Sequence, residues 1–343
     1  MERLWYPPRP DPPSDRLLHL PLSLAAAGFG ALVGARNALY DRGVLRSHRV
    51  EGVRVISVGN IHVGGAGKTP ATIFLANRLL AAGRRVAVLT RGYGRTSTRA
   101  LVFDAGALPS AEVAGDEPLL IATRAPGVRV HVGADRVASA KRAKAEGAEV
   151  LLLDDGMQHR RLARDLDIAV IDEAVGLGNA RLLPRGPLRE PVRALERAGL
   201  IWLRESSVPA PLPAFRQPVV RARYEPTLLL SADGQAQPAA SLRGQKVVAL
   251  SGLARPGAFT RTLESLGAEV VASIAQEDHH AWTRGELESA RRRADGAGAL
   301  LVTTEKDAVK LPAHERPWVL RLEVELTWGA ELLDRLLADA IDS

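Results

Sequence analysis

The stretch that decides the fold is Val53–Pro70, VRVISVGNIHVGGAGKTP. A β-branched run over Val53–Gly59 predicts a buried parallel strand, and a glycine-rich turn follows it directly. The turn ends in Lys68 and Thr69, which open a helix predicted over Pro70–Ala82. Strand, glycine-rich turn and helix in this order indicate a phosphate-binding loop, because backbone N–H groups and the helix N-terminus face the anion together.

The loop departs from the usual spelling G-x-x-x-x-G-K-[ST], because His62 stands where the first glycine is expected. Lys68 is expected to reach the β- and γ-phosphates, and the Thr69 hydroxyl to bind Mg²⁺. The alternative is a strand–helix turn that binds nothing. The predicted nucleotide contacts are Gly64, Gly65, Ala66, Gly67, Lys68, Thr69 and Pro70.

A second motif, VLLLDDGMQHR, covers Val150–Arg160. An apolar strand that ends in Asp154 resembles a Walker-B arrangement, in which a carboxylate at the edge of the sheet holds Mg²⁺. Asp155 follows at once, and adjacent strand residues point to opposite faces. Both can therefore serve one metal ion only if the strand ends here. The alternative is a capping pair of aspartates.

Strands and helices alternate along the whole chain, which predicts an α/β fold with parallel sheets and right-handed crossovers. The Pro-rich stretch Pro209–Pro218 marks a boundary, and a second α/β pattern begins near Lys246. We therefore predict two α/β domains. The predicted division is a membrane-associating segment at 1–50, a P-loop domain at 51–215, a linker strand at 216–230 and a smaller α/β domain at 231–343.

Composition restricts the classes of function. The chain has 343 residues, of which 46% are apolar, so it can bury a sizeable core. It has no cysteine, which excludes disulfides and cysteine-ligated metals. The formal net charge of +7 favours anionic partners. Nucleic acid has no supporting motif and few aromatic residues for stacking.

An apolar run near the N-terminus, Leu17–Ala35, is marginal in length for a membrane-spanning helix and includes His19 and Pro21. Most nearby arginines follow the run, whereas a secretory signal has them before it. The pattern predicts a helix lying in the bilayer surface with basic residues at the headgroups. The alternative is a buried helix of a soluble domain.

Two short motifs place titratable residues together. AGDEP, at Ala114–Pro118, is on its own an ordinary turn. QEDHHAW, at Gln276–Trp282, sets two histidines beside an aspartate, which suits a base or a residue that tunes one. A surface loop is the alternative, and metal binding is disfavoured because adjacent side chains diverge.

In this order the motifs VGNIHVGGAGKTP, RGYGR, GDEP, DDGMQHR, LLPRGPLREP, DHH and TTEKDAVKL resemble the tetraacyldisaccharide 4′-kinase family of lipid A biosynthesis, over roughly Leu17–Leu311. The resemblance implies two α/β/α domains, the first with a P-loop NTPase-like parallel sheet, joined by a short two-stranded β linker. It also implies ATP and Mg²⁺, an anionic acylated disaccharide lipid substrate, and a peripheral position on the cytoplasmic face of the bacterial inner membrane. No obligate protein partner is predicted.

The resemblance also implies roles for single residues. Asp116 matches the catalytic base, and its histidine partner maps to His279, with His280 left open; the pair is expected to meet only on domain closure. Lys68 and Arg189 would stabilise phosphate charge. The implied metal ligands are Thr69, Glu117, Asp154 and Asp155. The implied substrate contacts are Asn60, Tyr93, Arg136, Gln158 and His159. By analogy, Lys306 and Asp307 resemble a base-reading loop.

Two further functions stay open. One is a membrane-associated P-loop switch that hydrolyses nucleotide to control a protein partner. Its signature lysine before Gly64 is replaced by Val63, which argues against it. The other is a scaffold that binds nucleotide without catalysis, against which the intact Lys68, Asp116 and Asp154 argue.

Overall fold

The structure, a computed structural model, describes residues 2–6 and 19–342, and it divides into two compact units. The first unit comprises Met1–Arg91, Gly133–Arg223 and Glu325–Ser343, and the second comprises Gly92–Val132 and Tyr224–Val324. The domains expected from the sequence are consecutive segments. The compact units are interleaved instead, because residues 92–132 pack with the second unit and the C-terminal helix packs with the first.

The elements agree with the predicted alternation, with small shifts at their ends. The strands are β1 Arg54–Gly59, β2 Val86–Thr90, β3 Leu101–Phe103, β4 Arg129–Val132, β5 Val150–Asp154, β6 Leu166–Asp172, β7 Leu200–Arg204, β8 Val219–Leu230, β9 Ala236–Pro238, β10 Lys246–Gly252, β11 Glu269–Gln276, β12 Leu300–Thr304 and β13 Trp318–Trp328. The helices are α1 Glu2–Trp5, α2 Leu20–Asp41, α3 Lys68–Ala81, α4 Ala111–Ala114, α5 Asp116–Arg124, α6 Arg136–Ala145, α7 Pro256–Ser265, α8 Arg284–Gly296, α9 Glu305–Ala308 and α10 Ala330–Asp342.

The N-terminal region contains one turn of helix, α1. Residues 7–18, and so the start of the predicted run Leu17–Ala35, lie outside the described residues. The long helix α2 continues six residues beyond Ala35, to Asp41. Pro21 lies in its first turn, where a missing N–H costs no hydrogen bond. By length and composition α2 could cross a membrane, and 11% of its most apolar window is buried.

The first unit contains a parallel sheet in the order β2-β5-β1-β6-β7-β8, to which β8 contributes residues 219–222. Its central strands are buried on both faces, as their continuous apolar sequences predict. On one face, Val137, Ala140 and Ala143 of α6 pack against Leu151 and Leu153 of β5. Asp135 caps α6, because its side chain accepts hydrogen bonds from the N–H groups of residues 137 and 138.

The register of this sheet sets the site. Val58 of β1 pairs with Asp154 of β5, so the glycine-rich loop and the strand-end carboxylate leave the sheet at the same edge. Ligands of open α/β sheets bind at this carboxyl edge. The P-loop NTPase-like parallel sheet predicted from the sequence is therefore present.

The second unit contains its own parallel sheet, in the order β11-β10-β12-β13. Helix α7 and helix α8 supply apolar side chains to two cores, which include Phe259 and Leu263 in one and Leu287 and Ala290 in the other. The antiparallel pair β3–β4 belongs to the same unit. Strands β8 and β13 each run from one unit into the other, so two strands connect the units.

The motif Gly115–Pro118 is not the isolated turn that its composition favours. Asp116 opens α5, and Pro118 lies in the first turn, where proline is tolerated. Gly115 has a φ of 90°, and a Cβ there would lie 3.1 Å from the backbone oxygen of Tyr93. Glycine is therefore required where the chain enters α5, and Asp116 takes a fixed position at the helix N-terminus.

A buried aspartate stabilises the second unit. Asp307 is fully buried and lies 2.7 Å from the Lys310 ammonium. It also accepts hydrogen bonds from the N–H of Gly252, the indole of Trp282 and the hydroxyl of Thr304. These contacts give Asp307 a structural role in joining β10, α9 and the loop before α8.

Replacing this aspartate should destabilise the protein. Asp307→Ala leaves a buried ammonium and several donors unpaired, and we expect it to lower the free energy of unfolding by about 3–5 kcal/mol. Urea unfolding followed by tryptophan fluorescence measures the change. Asp295→Ala, at an exposed position of α8, is the matched control. A loss below about 1 kcal/mol for Asp307→Ala would contradict the structural role.

Candidate functional site

The loop between β1 and α3 has room for a phosphate chain. Among the described residues, no atom lies within 4 Å of where a Cβ on Gly64 or Gly65 would stand. Gly67 has a φ of 86°, in the left-handed region that favours glycine, and directly precedes α3. The N–H groups and the positive end of the first turn of α3 therefore face the loop, which is the geometry of an anion site.

The departure at His62 has a structural reason. His62 is buried and pairs with Leu188 in an isolated antiparallel bridge. The next residue, Val63, donates its N–H to the backbone oxygen of Pro187 at 2.8 Å. Because the chain is still extended at His62, this position does not need glycine. The glycine-rich turn starts two residues later, at Gly64.

Two cations meet one carboxylate beside the loop. Arg189 Nη1 lies 2.9 Å from Asp155 Oδ2, and Lys68 Nζ lies 3.4 Å from Asp155 Oδ1. Arg189 also donates to the Asn60 side-chain oxygen at 2.8 Å, which lies 3.4 Å from Lys68 Nζ. The first unit thus brings together the predicted residues Asn60, Lys68, Asp155 and Arg189.

Electrostatics keep this cluster charged. Burial alone would raise the pKa of Asp155, but the nearby Lys68 and Arg189 lower it to about 2. The carboxylate is therefore ionised at neutral pH. Asp155 holds both cations at the mouth of the loop, where they can interact with an anionic ligand.

Asp154 has a different environment. Its side chain is buried, and Oδ1 accepts a hydrogen bond from Thr72 at 3.1 Å. Thr69 lies three residues before Thr72 and so on the same face of α3. β5 ends at Asp154, and Asp155 has a positive φ of 52°, so the regular alternation of strand faces does not continue past the strand end.

The donor set around Asp154 fits Mg²⁺. Magnesium is usually held by one or two carboxylates together with the oxygens of a bound nucleotide. Across residues 2–6 and 19–342, no group of three His, Cys, Asp or Glu side chains is arranged to hold a metal by itself. One buried carboxylate beside threonine hydroxyls matches an ion that takes its remaining ligands from phosphate and water.

A second cluster lies in the other unit. His279 Nδ1 is 2.9 Å from Asp116 Oδ2 and 3.0 Å from Oδ1. A carboxylate only accepts hydrogen bonds, so Nδ1 is the donor. Asp116 is buried, and its position is fixed by α5. Both residues belong to one compact unit, whereas the resemblance implied that they come from different domains.

The two pKa shifts follow from this contact. Burial alone would raise the pKa of Asp116, but the hydrogen bond from His279 and the charge of Lys306 bring it below its usual value. The hydrogen bond to Asp116 raises the pKa of His279. The carboxylate is therefore ionised and the imidazole is biased toward its protonated form.

The structure separates the two adjacent histidines. His279 has a positive φ of 64° and turns toward Asp116. His280 Nε2 lies 3.0 Å from Glu286, which closes a capping box with Thr283 at the start of α8. His280 therefore helps to hold the loop, and only His279 contacts Asp116.

Sequence patterns did not predict the role of Lys306. Its ammonium lies 3.0 Å from Asp278, 3.4 Å from Glu117 and 3.8 Å from Asp116. These carboxylates raise its pKa even though burial alone would lower it. Lys306 therefore belongs to the Asp116 cluster. Its sequence motif had instead suggested, by analogy, a loop that reads the nucleotide base. Asp307, its neighbour, is buried in the fold.

The predicted substrate contacts have mixed environments. Tyr93 is 69% exposed and lies beside the His279 ring, with centroids 5.1 Å apart. Gln158 donates to the backbone oxygen of Asn60 at 2.7 Å. Arg136 is buried, and burial together with Arg136 lowers the pKa of His159 to about 4. Tyr93 is thus accessible, whereas Gln158 contacts the loop.

The Asp116–His279 contact predicts a titration. Because folding raises the pKa of His279, the contact stabilises the protein fully below the unfolded pKa of about 6.5 and is lost as pH rises through the folded value. NMR should give the His279 ring a pKa above 6.5 in the wild type and a lower one in Asp116→Asn. Asp295→Asn is the control. An unchanged His279 pKa in Asp116→Asn would contradict the assignment.

Comparisons with known proteins agree over nearly the whole chain. The family model described as tetraacyldisaccharide-1-P 4′-kinase matches residues 18–342. A tetraacyldisaccharide 4′-kinase of Anaeromyxobacter sp. (strain K) is 50% identical, over 99% of this chain and 95% of the relative. Another, of Rhodospirillum centenum, is 45% identical, over 83% of this chain and 82% of the relative.

A solved structure is similar to the fold described above. It is the LpxK crystal structure from Aquifex aeolicus, described as an "apo" form in complex with ATP. The TM-score is 0.79 at 35% identity, over 95% of this chain and 99% of that one. With a family model and relatives of this similarity spanning the chain, the protein belongs to the tetraacyldisaccharide-1-P 4′-kinase family and is an ATP-dependent kinase of lipid A biosynthesis.

Proposed function

We propose that the protein transfers the γ-phosphate of ATP to the 4′-hydroxyl of tetraacyldisaccharide 1-phosphate, with Asp116 as the general base. The observation that supports this most directly is the buried Asp116 carboxylate paired with His279 at 2.9 Å, in a chain that also has a phosphate loop. A nucleotide-binding scaffold has no need for such a pair. A lipid kinase needs one, because the sugar hydroxyl loses a proton as it attacks phosphorus.

The phosphate loop and its cations bind the triphosphate in this proposal. Backbone N–H groups from Gly64 to Thr69 surround the phosphates, and Lys68 pairs with the β- and γ-phosphates. Arg189 stabilises the charge that spreads over the γ-phosphoryl oxygens during transfer. Both cations now contact Asp155, so the nucleotide phosphates would compete with that carboxylate for them.

Thr69 and Asp154 are the proposed ligands of Mg²⁺, with Asp155 and Glu117 as further candidates. Thr69 and Asp154 would hold the ion, which would supply positive charge to offset that of the phosphates during transfer. Asp154 suits this role because its carboxylate is buried and has one threonine donor. Asp155 is already engaged by two cations, and Glu117 by Lys306.

At the acceptor, the Asp116 carboxylate takes the proton of the 4′-hydroxyl while the hydroxyl oxygen forms its bond to the γ-phosphorus and ADP leaves. His279 donates to Asp116 through Nδ1 and orients the carboxylate. The pKa of Asp116 lies below its usual value, so the carboxylate is ionised before transfer. After transfer, the protonated Asp116 carboxyl releases its proton readily. Tyr93, exposed beside His279, is a proposed contact of the sugar.

Other substrate contacts are proposed from the resemblance alone. Arg136, His159, Gln158 and Asn60 lie in the first unit, where Gln158 and Asn60 contact each other beside the loop. A positive charge at Arg136 suits the anionic substrate. We propose that these residues bind substrate phosphate or sugar.

The proposed location is the cytoplasmic face of the inner membrane. Leu20, Leu24 and Leu32 of α2 are 51%, 66% and 74% exposed, although burial of apolar side chains is favourable. An exposed apolar helix followed by arginines supports attachment to the surface of an anionic leaflet, where the lipid substrate lies.

Phosphate transfer tests the proposed function. We expect labelled phosphate from [γ-³²P]ATP to appear in tetraacyldisaccharide 1-phosphate in detergent micelles, and to be absent with Lys68→Ala. ATP hydrolysis without labelled lipid would overturn the proposal and favour the alternative, a nucleotide-dependent switch. Stimulation of hydrolysis by a protein and not by the lipid would support that alternative.

The base assignment makes a sharper prediction. Asp116→Asn should lower the transfer rate by about 10²- to 10⁴-fold, the usual contribution of a general base, while ATP binding is retained. Asp295→Asn, at an exposed position of α8 outside this cluster, is the control. Near-normal turnover by Asp116→Asn would disprove the assignment.

Membrane attachment can be tested separately. The double variant Leu24→Glu/Leu32→Glu should reduce sedimentation with anionic vesicles, because two charges enter the apolar surface of α2. Val208→Glu, at a position 77% exposed outside α2, is the control. Deletion of residues 17–35 should have the same effect. Equal sedimentation of the wild type and the double variant would contradict the role of α2.

A further inference from the structure

The C-terminal half of α2 contacts the phosphate loop through one intermediate residue. Arg36 Nη2 donates to the backbone oxygen of Gln158 at 2.6 Å. The side chain of Gln158 then donates to the backbone oxygen of Asn60 at 2.7 Å. Asn60 is buried, and its side-chain oxygen accepts from Arg189 and Lys68. A hydrogen-bonded chain therefore connects α2 to both cations of the nucleotide site.

The next residue of α2 makes a second connection. Asn37 is buried and donates to Glu190 Oε1 at 3.1 Å. Glu190 is 1% exposed and directly follows Arg189 in the chain. A buried carboxylate of this kind requires fixed donors, so Asn37 restrains the backbone beside Arg189. Arg197 is the other partner of Glu190.

Arg160 also contacts this end of α2. Its Nη1 donates to the backbone oxygen of Asn37 at 3.1 Å, and its Nη2 lies 2.7 Å from Asp41. The guanidinium groups of Arg160 and Arg36 lie 5.1 Å and 5.5 Å from the centre of the Tyr40 ring. These contacts involve residues 36–41, whereas the most exposed leucines, Leu24 and Leu32, lie earlier in the helix.

We infer that Arg36 and Asn37 are positioning residues of the nucleotide site, so that α2 sets the affinity for ATP as well as attaching the protein to a membrane. Arg36 acts through Gln158 on Asn60, and Asn37 acts through Glu190 on Arg189. Loss of either contact frees the groups that orient Lys68 and Arg189 toward phosphate. The inference rests on the proposed function only in that ATP binds at this loop.

Substitution at Arg36 tests the inference in the full-length protein. Arg36→Met keeps the length of the apolar stem and removes the charged donor. We expect its Kd for Mg²⁺–ATP, measured by calorimetry in detergent, to rise about tenfold, the usual effect of losing one hydrogen bond from a charged group. Arg36→Lys should recover part of the affinity. Arg42→Ala, exposed at the end of the same helix, is the control.

Other measurements distinguish positioning from simple attachment of the helix. With Arg36→Met, the KM for ATP should rise, while the KM for the lipid and sedimentation with anionic vesicles remain as in the wild type. An unchanged Kd for ATP, with a lower melting temperature or weaker vesicle binding, would overturn the inference. If Arg36→Met does not fold, Asn37→Ser tests the second connection by the same readouts.

Failure of this inference and failure of the proposed function give different results. Wild-type protein that binds ATP but does not label the lipid would disprove the lipid kinase and leave the role of Arg36 testable by ATP binding. Wild-type protein that labels the lipid, together with an Arg36→Met variant of unchanged ATP affinity, would disprove only the role of Arg36.

Discussion

The proposed nucleotide site depends on one half-exposed carboxylate held between two cations. Asp155 contacts Lys68 and Arg189, and its pKa of about 2 ensures that the carboxylate stays charged. Without this anion, two positive groups beside the helix N-terminus would repel each other and that helix end. Asp155 can take this role because β5 ends one residue earlier and the chain turns with a positive φ. Because the strand ends at Asp154, the two adjacent aspartates have different environments.

In the second cluster, acidic side chains outnumber basic ones, whereas two cations surround one carboxylate in the first. Asp116, Glu117 and Asp278 bring three carboxylates together, and Lys306 and His279 supply the compensating charge. Burial favours neutral carboxyl groups, so the cations are needed to keep Asp116 ionised and able to accept a proton. Lys306 is well suited because its single ammonium contacts all three, at 3.0–3.8 Å.

Local patterns predicted much of this architecture. The β-branched runs, the glycine-rich turn and Asp154 at a strand end are all local features, and the structure has strands and helices where they indicate. The interleaving of the units could not be predicted this way, because residues 92–132 join the second unit through tertiary packing. The start of α5 at Asp116 was also missed, since Asp-Glu-Pro favours turns and helix first turns alike. The choice between His279 and His280 required the capping box that engages His280.

The full length of helix α2 could not be predicted from hydropathy alone. The apolar pattern ends near Ala35, yet the helix continues to Asp41. Among the additional residues, Arg36, Asn37 and Asp41 are polar. They contact Gln158, Glu190 and Arg160, respectively, and these contacts stabilise the helix beyond the apolar run. One helix therefore combines exposed apolar side chains, such as Leu24 and Leu32, with polar side chains near its C-terminal end that make tertiary hydrogen bonds. The exposed leucines suit contact with a membrane, whereas the hydrogen bonds of Arg36 and Asn37 fix the end of the helix against the first unit, so different residues of α2 carry the two roles.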